Sequence, residues 1–312
     1  MLHVPLVLAL LLSPVNLDQL CHQRDCAWSH LYWHTDLESA KRAARATRRP
    51  ILSLRLLGRL DQELSCANSR YFRTILYSDR TISEYLREHY VLHWQSVRPV
   101  PVMTVEMGDG RRIVRTITGN SIHYILDEEG RPLDAIPGLY SPQAFLGAIR
   151  QGVSLYDSRP DAGMLRRYHA ALVPSDDAPV PADPARLAIT KAMVEVRPLE
   201  NALLAGANGD KVVFDENTLD LIRAKHGAKN LDALLAKLRR SVAADTEMNE
   251  TKLRPRIRRW FANGEVTTID ALNERVYREI FLMPPDDQWM GLVSNDTFTA
   301  IEGEGLLLDS GR

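Results

Sequence analysis

Between Pro50 and Gly58 lies ILSLRLL, seven residues with apolar side chains at five of them. The run is too short for an ordinary helix and too apolar to leave one face in water, so it reads as a buried strand. Such a strand must be covered, and its neighbours are suited to covering it. Before it, TDLESAKRAARATRRP is helical: Thr35 and Glu38 match a capping box, Ala and long straight side chains favour helix, and Pro50 ends it. After it, GRLDQELS reads as a loop and CANSRYFRTILY returns to helical spacing. RTISEYLREH, starting near Asp79, is a further short helix, and YVLHWQSV is the next strand. Pro99 and Pro101 keep the following residues extended.

VMTVEM and IVRTIT are β-rich runs joined by GDGRR, whose Asp109-Gly110 is a turn signal. HYILD, EEGRP and LDAIPG read as strand, turn and strand. Ser141-Pro142 opens a helix that is expected to stop at Gly152. The sequence from about 28 to 155 thus predicts a mixed α/β layer domain. Residues 156–185 hold a helix and the Pro- and Asp-rich stretch VPSDDAPVPADPA, which reads as a linker. Residues 186–312 are expected to be a mainly helical domain, with RLAITKAMVEV, ENTLDLIRAKHG, NLDALLAKLRRSVA, TKLRPRIRRWF and IDALNERVYREIF at helical spacing. Residues 1–27 form a signal-like N-terminal segment. Its run VPLVLALLLSPV is too short to span a bilayer and fits the centre of an export signal, although no Lys or Arg precedes it. Export, to the periplasm or with membrane association, is the expectation, with a cytoplasmic location as the alternative.

The order of these elements resembles the thioredoxin-like superfamily, from YWHTDLESAKRAARATRRPILSLRL through GLYSPQAFLGAI. Trp33, Arg49 and Pro50 fit the opening, and Gly130 fits the turn of the last hairpin. The resemblance implies a thioredoxin-like α/β domain followed by the helical domain. It also places Cys66 as the first cysteine of that family's Cys-x-x-Cys pair and Ser69 where the resolving cysteine would stand. The family's cis-proline falls at Ser121, where a trans bond is expected. The helix that usually precedes that strand is replaced by the hairpin of residues 102–118.

At a helix start, unpaired N–H groups and the positive end of the dipole favour a thiolate. Arg59 and Arg70 would add to this and Glu63 would oppose it. Such a Cys66, reachable by solvent and with Ser121 beside it, attacks disulfides, and another thiol must resolve the adduct. The function implied is monothiol thiol–disulfide exchange, with a protein or small-molecule thiol or disulfide as partner. The alternative is a non-catalytic thioredoxin-fold adaptor that binds a protein partner, with Cys66 a buried packing residue.

Cys21 and Cys26 precede His30 and His34. These four residue types suit zinc, but their spacing is not that of a known finger; a Cys21–Cys26 disulfide is the competing reading. No metal and no cofactor is expected. His123 either serves the thiol as a base or is a strand histidine facing solvent or a hydrogen-bond partner, and the second reading is preferred. Lys252, Arg254, Arg256, Arg258 and Arg259 before Trp260 are expected on a solvated helix face. The net charge of −1 gives no general pull toward nucleic acid. The sequence has no GxxxxGK[ST] phosphate loop, G-x-S-x-G elbow or HExxH helix.

Overall fold

The computed structural model describes residues 16–116, 119–174, 207–227, 230–284 and 286. The apolar N-terminal run, most of the Pro/Asp-rich stretch, RLAITKAMVEV and residues 287–312 lie outside the described residues. The fold is mixed α/β.

Two short helices, α1 (Leu17–Cys21) and α2 (Cys26–Ser29), precede α3 (Leu37–Thr47). The cap of α3 is Asp36 rather than Thr35: its carboxylate accepts the Ser39 N–H at 2.7 Å, and Glu38 instead pairs with Lys41. A charged acceptor outcompetes a hydroxyl for the orphan amides of the first turn. The strands β1 (Ile51–Leu57), β2 (Val91–Arg98), β5 (Ile122–Leu126) and β6 (Pro132–Pro137) form one sheet in the order β2-β1-β5-β6. β1 is parallel to β2 and antiparallel to β5, and β5 is antiparallel to β6. Between β1 and β2 run α4 (Ala67–Tyr71), its π-helical continuation Phe72–Leu76, and α5 (Arg80–His89). The strands β3 (Val102–Glu106) and β4 (Arg112–Thr116) pair only with each other, as a separate antiparallel hairpin.

The register decides what each face carries. Leu54 lies opposite Trp94 and His123, so these side chains share one face. There the His123 ring sits between Phe72 and Phe145, at centroid distances of 4.6 and 5.0 Å. Phe145 belongs to α6 (Pro142–Asp157), which runs past Gly152 instead of stopping there. Gly152 serves close packing: a Cβ would collide with Ile125 and the Tyr90 hydroxyl. The opposite face carries Ser53, Arg55, His93 and Tyr124, all buried.

The helical remainder comprises α7 (Ala162–Ala171), α8 (Glu216–His226), α9 (Leu231–Met248), α10 (Arg254–Ala262) and α11 (Ile269–Arg275), the last continuing as a π-helix over Val276–Ile280. These helices do not stand apart. α11 closes the polar sheet face, where Asp270 takes the Arg55 guanidinium at 3.0 Å and Asn273 accepts the Tyr124 hydroxyl at 3.2 Å. One hydrophobic cluster runs from Leu31 to Met283. Arg254 and Arg258 are buried, not solvated. Arg254 reaches the equally buried Asp134 of β6 at 2.8 Å, and a buried carboxylate demands such a partner. No helix among the described residues is long and apolar enough to cross a membrane.

Candidate functional site

Cys66 is the N-cap of α4, with extended backbone (φ −60°, ψ 158°). Its sulfur accepts the Ser69 N–H at 3.4 Å, and its S–H is 3.4 Å from Ser69 Oγ. The Ser69 hydroxyl donates to the Cys66 carbonyl at 2.9 Å, so toward the sulfur it is an acceptor. Ser121 Oγ lies 3.2 Å from the same sulfur. The structure therefore brings Cys66, Ser69 and Ser121 together, and no peptide bond among the described residues is cis.

The expected solvent access is absent: Cys66, Ser69 and Ser121 are each 0 % exposed. The first layer of cover is the loop before β5. Gly119 has φ +147°, and a Cβ there would collide with the Cys66 Cβ, so the backbone lies directly on the thiol side chain. The second layer comes from the far end of the chain. The Tyr277 hydroxyl donates to the Asn120 carbonyl at 2.8 Å, and the Asn120 side-chain amide reaches Met283 Sδ at 3.7 Å. Tyr277 and Met283 are themselves buried. IDALNERVYREIF reads only as an amphipathic helix, and nothing local in it marks a contact 157 residues away in sequence.

Of the basic groups expected near the thiol, Arg70 is closest in role. Its guanidinium bonds the Ser65 carbonyl and Thr116 Oγ1, tying the base of the β3–β4 hairpin to the Cys66 turn. Arg59 pairs with Asp61 at 2.6 Å and lies over the Trp94 ring, while Glu63 pairs with Arg24 and Arg73. His123 is fully buried and shares a hydrogen bond of 2.7 Å with the Tyr77 hydroxyl. It therefore faces a partner rather than solvent, and burial lowers its pKa to about 3. Across the sheet, His93 bonds Ser53 Oγ at 2.8 Å, and burial, with Arg55 nearby, also lowers it to about 3. Both rings are neutral at physiological pH.

Cys21 and Cys26 are joined in a disulfide, so their sulfurs are not available as thiolate ligands, and Cys66 is the one free cysteine of the chain. His30 follows α2 and His34 bridges to the edge of β2. No group of three or more His, Cys, Asp or Glu side chains suited to a metal ion occurs among the described residues.

The site thus encloses the Cys66 sulfur among hydrogen-bonding groups and presents no open face to a disulfide. No protein-family model matches the chain, and no curated protein matches it either.

Proposed function

We propose that this protein is a thioredoxin-like adaptor that works by binding a protein partner, with Cys66 as a packing cysteine. Support for the thioredoxin-like part comes from the order β2-β1-β5-β6, with a parallel pair linked through a helix that starts at Cys66 and an antiparallel pair that follows Ser121. The observation that carries the non-catalytic part is the complete burial of the thiol, with Gly119 packed against its side chain and with Asn120 held by Tyr277 and Met283.

The β3–β4 hairpin is the binding arm that the geometry favours. A two-stranded ribbon is marginal by itself, and this one exposes Val102, Met107, Ile113 and Val114. Around it, Arg98, Arg111, Arg112 and Arg115 outnumber Glu106 and Asp109. The partner that fits is a protein surface with an apolar centre and an acidic rim. The Cys21–Cys26 disulfide supports an oxidising compartment, and hence export.

The competing reading, monothiol exchange through Cys66, is favoured by the thiol's place at the helix start with the Ser69 N–H directed at its sulfur. It requires the buried thiol to be uncovered, with the loop at Gly119 moving off it. Incubation of the native protein with glutathione disulfide, followed by intact-mass analysis, separates the two. No adduct at Cys66 is expected, and a stoichiometric adduct on the folded protein would establish the exchange reading instead.

A further inference from the structure

A cavity of about 300 Å³ lies between α4 with its π-helical continuation on one side and α8 and α9 on the other. It does not include Cys66, although Ala67 and Arg70 of the same helix line it. Most of its wall is apolar, with Ile75, Ile222, Leu238 and Val242 facing inward. One wall residue does not fit a cavity of that kind. Asp245 is 7 % exposed, and its Oδ2 has no hydrogen-bond partner.

An unpartnered buried carboxyl is costly, and a protein interior normally satisfies one. Burial raises the Asp245 pKa to about 7, so acid and carboxylate coexist near neutrality. A ligand hydroxyl suits both forms, since it donates to the carboxylate and accepts from the acid. Beside Tyr71, Thr74 and Ser241, the wall carries three basic side chains: Arg70, Lys225 and His226. Lys225 also bonds Asp25 at 2.9 Å, and Arg70 holds Ser65 and Thr116, while His226 is exposed. Together they bring basic groups from both walls to a site that is otherwise largely apolar around one acid.

We propose that this cavity binds a small amphipathic carboxylic acid with an apolar body and a hydroxyl, the hydroxyl seated on Asp245 and the carboxylate beside Arg70, Lys225 and His226. The site is independent of the chemistry of Cys66.

The test uses three probes on the full chain at pH 7.5, followed by calorimetry and thermal shift: 3-(4-hydroxyphenyl)propionate, 3-phenylpropionate and 4-ethylphenol. The first binds saturably, and removing either its hydroxyl or its carboxylate weakens binding about tenfold, one good hydrogen bond or ion contact in each case. In Asp245→Leu the hydroxylated and plain acids bind alike, and Val242→Trp, which fills the space, abolishes binding of both. Two folded variants, verified by circular dichroism, guard against a loss caused by unfolding. Absence of binding by all three probes to the wild-type protein, or equal binding of the two acids to it, overturns the proposal.

Discussion

Asp245, His93 and His123 are buried side chains that respond to pH in opposite senses. The two histidines have folded pKa values near 3, so unfolding lets each take up a proton below about 6.5. Their contribution to stability is complete above that pH and is lost as pH falls toward 3. Asp245, raised to about 7, does the reverse: the fold holds its proton, and that contribution disappears as pH rises from about 3.8 through 7. Asp245→Asn is therefore expected to stabilise the protein more at pH 8 than at pH 5, the difference in unfolding free energy being about 3 kcal/mol. Urea titrations at the two pH values measure it, and an equal gain at both would show that the carboxyl is not held in its acid form. At this scale the sequence was a partial guide. Cys66 caps α4 with Ser69 beside it, which is a local pattern, whereas Ser121 reaches the same sulfur across 55 residues of sequence, where no local pattern points to it. Asp245 gave no signal, since an acid in an amphipathic helix looks like any solvated acid until the packing is known.

The loop 119–121 is the element on which the closed thiol depends. Gly119 combines a positive φ with direct contact between its backbone and the Cys66 side chain. Gly119→Ala meets both penalties and is expected to cost roughly 2 kcal/mol or more of stability, read as a fall in denaturation midpoint. Adding Cys66→Ala does not restore it, because the collision is with Cβ rather than with sulfur. Rescue by that double change would place the strain elsewhere. Element positions were legible where turns and apolar runs agree, as in ILSLRLL, YVLHWQSV and the Asp109-Gly110 hairpin. They were misread where one residue serves packing: Gly152 resembles a helix stop but admits Ile125 and Tyr90 against α6.

Across the whole molecule, the helical segments and the sheet share a core, joined at its centre by Arg254 and Asp134. Burial raises the Asp134 pKa, but Arg254, His169 and Arg258 outweigh it and the carboxyl stays below its ordinary value. Arg254→Ala strands that carboxylate and is expected to cost about 3–5 kcal/mol, with the two regions still unfolding in one transition by calorimetry. A separate, unshifted transition for the helical segments would contradict the shared core. This scale was the least legible in sequence. The basic run that looked like a solvated face supplies buried Arg254 and Arg258, because Asp134 lies 120 residues away in sequence and no local pattern announces it. The same holds for Tyr277, which ties down Asn120 in the loop that closes over the thiol. Iodoacetamide labelling of Cys66, the chain's one free cysteine, across a urea series tests this directly. Labelling is expected to appear only with global unfolding and to share its midpoint; rapid alkylation of the folded protein at a pH well below about 8.5, the ordinary thiol value, would show the thiol to be open.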